Sequence, residues 1–166
     1  HRGAYLNAMG NSLEWDMKMH PTYLWTLPMF HCNGWCFPWT IAMRAGTNIC
    51  LRKITGENIY DKIFSHGVEY LCGAPTVLSF IINTDSNHVK KLNGRVKLMT
   101  AAAPPPAKIL EQIEKCGFDV THVYGLTEVY GPAVICKWKD EWDNLEPSEK
   151  ANLKSRQGVS YLVQED

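Results

Sequence analysis

The sequence predicts an α/β domain with a mainly parallel sheet and flanking helices. Two observations lead there: short β-branched or aromatic apolar runs alternate with helical patterns, and Pro and Gly punctuate the boundaries. A third sharpens it, because small or polar clusters follow directly on several of the apolar runs. Right-handed crossovers place the loops after successive parallel strands on one edge of the sheet. The loops at His31, at Ala101 to Pro104 and at Tyr124 are therefore expected to converge, at the edge where such sheets bind ligands.

The elements follow in order. From 3 to about 15, Tyr5, Leu6, Met9 and Leu13 recur at three- and four-residue steps, which predicts an amphipathic helix. Pro21 bars its continuation, and 22–27 reads as a short buried strand. Pro28 and Gly34 make 28–34 a loop; 35–45 is apolar enough for a buried helix stopped at Gly46. After a strand at 48–51, Thr55 is placed to cap a helix over 57–65 that Gly67 ends. A third strand is expected at 68–72, and Pro75 suits the first position of a helix to about 83. The polar stretch 84–93 reads as a surface connection. Then come a strand at 96–100, a small-residue turn at 101–106, a helix to about 116 and a strand over 119–123. A further strand at 133–136 precedes a last helix opened at Pro147, with Ser148 as its candidate cap.

Composition bounds the function. The 166 residues suffice for one domain with a real core, and 45% hydrophobic with 20% charged residues is a globular composition. Seventeen basic and seventeen acidic residues cancel, which removes the electrostatic footprint of a nucleic-acid binder. No apolar run reaches membrane-spanning length, since Pro28, Pro38 and Arg44 interrupt the one candidate. The six cysteines do not cluster as a disulfide framework, and His31, Cys32 and Cys36 lack the second close pair a zinc site needs. Buried, reduced thiols in an intracellular compartment, cytoplasmic or peroxisomal, are expected.

The densest chemistry is Tyr124-Gly125-Leu126-Thr127-Glu128. A ring can stack on a base, Gly125 lets a ligand near the backbone, Thr127 can donate to phosphate and Glu128 can hold a metal. Alone, the pentapeptide also reads as an ordinary polar turn. Together with Leu27-Pro28-Met29-Phe30-His31-Cys32-Asn33-Gly34 and Thr100-Ala101-Ala102-Ala103-Pro104, it resembles the adenylate-forming superfamily of acyl-CoA synthetases and their relatives. The stretches 138–143 and 154–159 are similar to plant acyl-activating enzymes of the benzoate or short- and medium-chain fatty acid type.

The resemblance implies a ligase that couples a carboxylic acid to ATP as an acyl-adenylate and passes the acyl group to coenzyme A. Tyr124, Gly125 and Ala101, Ala102, Ala103 and Pro104 would form the purine slot. Thr127 would bind phosphate, Glu128 would bind Mg2+, and His31 would face the reacting carboxylate. Trp35, Ala74, Pro75 and Thr76 are candidates for the acyl-pocket wall, whereas Phe37 and Trp39 are expected in the core. The phosphate loop expected ahead of His1, and the ribose-binding Asp and small C-terminal domain with its Lys expected beyond Asp166, are not in these residues. The chain is accordingly expected to be part of the large N-terminal domain, without ligase activity by itself.

Two other functions compete: an amino-acid adenylation relative and a non-catalytic fragment. No Asp or Glu occurs between Met17 and Gly56, the span holding the His31 loop. An amino-acid substrate needs a carboxylate for its ammonium, because an unpaired buried charge is costly. An aliphatic or aromatic acid is therefore expected.

Overall fold

The computed structural model describes residues 1–92, 96–103 and 105–164. Helix α1 (Arg2–Glu14) leads to β1 (Thr22–Trp25), a single turn α2 (Cys32–Trp35), α3 (Phe37–Met43) and β2 (Thr47–Cys50). Next come α4 (Gly56–His66), β3 (Tyr70–Gly73), α5 (Pro75–Ile82), β4 (Val96–Thr100), α6 (Ala107–Lys115) and the long β5 (Phe118–Leu126). The described chain closes with β6 (Gly131–Ile135), α7 (Pro147–Lys154) and β7 (Val159–Ser160). The strands form one sheet in the order β2-β1-β3-β4-β5-β6-β7, parallel from β2 through β5 and antiparallel at β6 and β7. This is the α/β class with the mainly parallel sheet expected.

Both faces are covered, which is why the inner strands read as nearly continuous apolar runs. Side chains alternate along a strand. Leu24, Leu71, Leu98 and Val120 thus face α4, α5 and α6 through Ile59, Ile63, Leu78, Ile81, Leu110 and Ile113. Tyr23, Tyr70, Cys72 and Met99 lie on the other side with Trp15, Phe37 and Ile41. Phe37 stacks on Tyr23 at 5.1 Å between ring centres and meets Trp15 edge-on at 5.5 Å. Each such pair adds about 0.5–1.5 kcal/mol beyond its buried area.

The ends of α4 match expectation: the Thr55 hydroxyl accepts from Asn58 N–H at 3.2 Å, and Gly67 closes the helix with φ 62°. Three expectations need correction. Ser148 does not cap α7; Glu146 does, sharing a reciprocal capping box with Glu149, because Pro147 takes the first helical position and the cap is the residue before it. The helix expected over 35–45 is broken, since Cys36 has φ 64° and α3 starts only at Phe37. Trp39 lies on the outer side of α3 and is 42% exposed, while Phe37 is in the core as expected.

Helix α1 is the largest departure. Of its predicted apolar face, Tyr5 and Leu13 are exposed and Leu6 and Met9 half-buried, while the buried residues are Asn7, Ala8, Gly10, Asn11 and Ser12. The reason is close approach. A Cβ at Gly3 would come within 2.6 Å of the Tyr130 ring, and one at Gly10 within 2.6 Å of the Tyr161 ring. Asn7 Nδ2 donates to the Pro132 carbonyl at 2.6 Å and Asn11 Nδ2 to the Trp35 carbonyl at 2.8 Å, so each buried carboxamide nitrogen has a partner.

All six cysteines are free, and Cys36, Cys72 and Cys136 are buried. Cys50 is exposed because β2 is the edge strand, contrary to the expectation of burial throughout. Among the described residues no helix is long and apolar enough to cross a membrane.

Buried His122 on β5 donates from Nδ1–H to the Arg156 carbonyl at 3.0 Å. Burial lowers its pKa, opposed by the carbonyls of 154–156. The unfolded chain then takes up the proton first as pH falls, so this contribution is full above about pH 6.5, the ordinary His value, and declines below it. The urea midpoint should drop between about pH 7.5 and 5.5, and the drop should be smaller in His122→Gln. Equal drops in both proteins would count against this.

Candidate active site

The parallel registers place the carboxyl ends of β1, β3, β4 and β5 side by side. After β1, Thr26 is buried and its hydroxyl donates to the Cys72 carbonyl, tying the strand's exit to β3. The chain turns at Pro28, whose carbonyl accepts from His31 N–H at 3.2 Å. His31 is exposed, and no partner engages its ring among the described residues. After β3, Ala74 precedes Pro75 at the start of α5; both are half-buried and Thr76 is exposed. After β4, Ala101 is buried, Ala102 takes φ 84°, and both Ala102 and Ala103 are exposed. Pro104 lies outside the described residues.

The pentapeptide is not a loop at the end of a strand. Pairing of β4 with β5 stops at Thr100 and His122, yet β5 continues to Leu126 by pairing with β6. Tyr124 therefore stands on a hairpin that projects past the sheet edge, with its ring 41% exposed. A 3-10 turn, Thr127–Val129, presents Thr127 and Glu128. Glu128 is exposed and has no ion pair or hydrogen-bond partner among the described residues. Gly125 answers a need that the sequence reading did not see. A Cβ there would lie 1.7 Å from the Gly131 carbonyl oxygen, so the hairpin itself demands glycine.

One contact joins two of the predicted loops directly. Cys32 Sγ lies 3.4 Å from Thr127 Oγ1, which sets the residue after His31 against the Thr127 hydroxyl. Cys36 Sγ adds a second tie to the Tyr130 carbonyl at 3.2 Å; burial pushes this thiol up to about 11, so it stays protonated as the donor. Trp35, expected on the acyl-pocket wall, is buried with Trp25, Phe37 and Tyr161 beneath the loop. Nothing in the motifs marks Cys32 as a site residue, nor Asn7 and Asn11. The stripe Gly3, Asn7, Gly10, Asn11 at helical spacing was the available signal for the last two.

A cleft of about 730 Å³ opens at the opposite edge, where Lys97 and Phe118 to Thr121 begin their strands. None of the motif residues lines it, and four of its charged side chains are paired, Lys154 with Glu114 and Lys137 with Glu14. At the motif edge, the side chains of His31 and Glu128 are exposed and have no partner among the described residues.

The family model of the AMP-binding enzymes matches residues 1–164. The chain belongs to that family. It is 49% identical over 166 residues to the acetate/butyrate–CoA ligase AAE7 of Arabidopsis thaliana, named peroxisomal, covering 99% of this chain and 29% of that protein. It is 49% identical over 164 residues to the 2-methylpropanoate–CoA ligase CCL4 of Humulus lupulus, with 99% and 29% covered. Against the peroxisomal benzoate–CoA ligase of Arabidopsis thaliana it is 44% identical over 162 residues, 98% and 28% covered. The fold matches the N-terminal domain of FACL13 from Mycobacterium tuberculosis with a TM-score of 0.79 at 19% identity, over 98% of this chain and 39% of that one. The chain thus spans about three-tenths of the length of its curated relatives.

Proposed function

We propose that these residues form the adenine, metal and acyl side of an acid–thiol ligase. It activates an aliphatic or aromatic carboxylic acid with ATP and passes the acyl group to coenzyme A. The observation that carries this reading is the Cys32–Thr127 contact, which sets the His31 loop against the hairpin of Tyr124 and Glu128. Family membership supplies the reaction class, and relatives named for acetate, butyrate, 2-methylpropanoate and benzoate support the substrate class.

In this reading, Tyr124 stacks on the purine beside Ala101, Ala102, Ala103 and Pro104, and the Thr127 hydroxyl donates to a phosphate oxygen. His31 donates to the negative charge that develops as the carboxylate oxygen attacks the α-phosphorus and pyrophosphate leaves. Ala74, Pro75 and Thr76 sit at the adjoining strand exit, where an acyl chain would lie. The unpartnered, exposed Glu128 carboxylate suits a hard cation such as Mg2+, which usually takes one or two carboxylates together with substrate phosphates. When bound, that ion would neutralise phosphate charge. Residues 1–166 are read as part of the large N-terminal domain, with the phosphate loop, ribose-binding Asp and catalytic Lys supplied by other parts of a longer chain. Of the two settings expected, peroxisomal and cytoplasmic, the names of several relatives favour the peroxisomal one.

The test is acid-dependent pyrophosphate exchange by the full-length protein on butyrate, hexanoate, benzoate and a set of amino acids. Exchange with the simple acids is expected. A preference for an amino acid would overturn the substrate class, and no exchange with any acid would overturn the activity.

A further inference from the structure

Five consecutive residues, Cys32 to Cys36, have φ values of 47°, 43°, 57°, 56° and 64°. This is a left-handed turn, and a non-glycine residue in it costs roughly 1–2 kcal/mol. Asn33 tolerates the conformation and Gly34 is free of the penalty, so Cys32, Trp35 and Cys36 bear the strain. Such strain persists only where the surroundings over-determine it. Here they do so from three sides. Gly34 lies on the Trp25 ring, where a Cβ would come within 2.8 Å. Gly131 packs on Trp35, where its missing Cβ would stand 3.1 Å from Cα. From below, Asn11, fully buried, donates from Nδ2 to the Trp35 carbonyl at 2.8 Å, and its Oδ1 accepts from the Tyr161 hydroxyl at 3.2 Å.

We infer that Asn11 is a positioning residue of the site: its carboxamide holds the left-handed turn that keeps His31 and Cys32 against the Thr127 hairpin. The two packing contacts resist compression but cannot pull the turn inward. The Asn11 donor can, and without it the Trp35 carbonyl is left buried and unpaired, a penalty of the same order as the strain on one residue. The hairpin has a separate tether, Asn7 Nδ2 to the Pro132 carbonyl at 2.6 Å. The Cys36 thiol also ties the turn to the Tyr130 carbonyl of that hairpin, so losing the Asn11 bond loosens the His31 side of the site and leaves the Tyr124 and Glu128 side in place. What His31 does there rests on the acid-activation reading; the geometry of the turn does not.

The experiment is timed iodoacetamide labelling of the full-length protein, read peptide by peptide by mass spectrometry. In Asn11→Ala, Cys32 should be labelled roughly tenfold faster than in the wild type. Cys72, fully buried at the centre of the sheet, should stay protected, and exposed Cys50 should keep its rate. Unchanged Cys32 labelling would overturn the inference, as would equal acceleration at Cys72, which marks general loosening. If Asn11→Ala gives no soluble protein, Tyr161→Phe removes the hydroxyl that orients the carboxamide and must accelerate Cys32 at least twofold, or the inference fails. The kinetic counterpart is a split: Asn11→Ala raises KM for the acid with KM for ATP nearly unchanged, and Asn7→Ala does the reverse. Wild-type protein inactive on every acid sinks the activation reading alone, because the labelling result stands without it.

Discussion

Replacing Glu128 by Gln in the full-length protein is expected to lower acid-dependent pyrophosphate exchange by about 10²–10³-fold, the usual cost of losing a group that stabilises charge in the transition state. Gln keeps the shape and loses the charge, so the substitution isolates what a metal-binding carboxylate supplies. Stability should barely move. Glu128 is exposed in a 3-10 turn and has no partner among the described residues, and substitutions at such surface positions fall within about 0.5 kcal/mol of neutral. Raising Mg2+ should recover part of the lost rate by mass action. Glu141→Gln, another exposed carboxylate, serves as the control and should be silent. A loss under threefold at Glu128, or an equal loss at Glu141, would remove Glu128 from the metal role.

How far the sequence reached depended on whether the relevant physics was local. Thr55, Gly67 and Pro75 act within one turn of their own helices, and all three lie where local rules put them. That the His31 and Ala101 loops leave on one edge was also legible, because parallel strands leave their exits on one edge whatever the side chains do; the Tyr124 hairpin was not, since it extends past that edge by pairing with β6. The buried face of helix α1 was not legible, although the helix itself was. Apolar periodicity assumes that the apolar stripe faces inward, whereas Gly3 and Gly10 bring the helix backbone close to aromatic rings and Asn7 and Asn11 find carbonyls more than twenty residues away. The turn at 32–36 was hidden for the same reason. Cys and Trp do not choose a left-handed backbone; Gly131 and Asn11 impose it from distant parts of the chain.

Gly125 shows how one residue can be singled out for an incomplete reason, and it gives the second large effect. Its place beside Tyr124 suggested room for a ligand, but the structure shows an obligation to the hairpin. In Gly125→Ala the new Cβ would stand 1.7 Å from the Gly131 carbonyl oxygen and 2.8 Å from Pro132 Cα, and both are backbone atoms that cannot rotate away. The strands must part where β5 and β6 already shift register, between Tyr124 and Gly125. We expect a loss of about 3 kcal/mol, at the upper end of the usual overpacking penalty, seen as a lower urea midpoint with an unchanged slope. Gly67→Ala separates crowding from backbone strain, because nothing lies within 4 Å of a Cβ there and only the φ of 62° opposes it. That variant should lose about 1 kcal/mol. The functional consequence runs through the same hairpin: Gly131 also packs on Trp35, so parting the strands disturbs the left-handed turn together with Tyr124. Gly125→Ala should therefore impair both ATP and acid use, where Asn11→Ala impairs the acid alone. Equal stability losses in Gly125→Ala and Gly67→Ala would show that the hairpin yields to the added methyl and that ligand approach remains the reason for glycine.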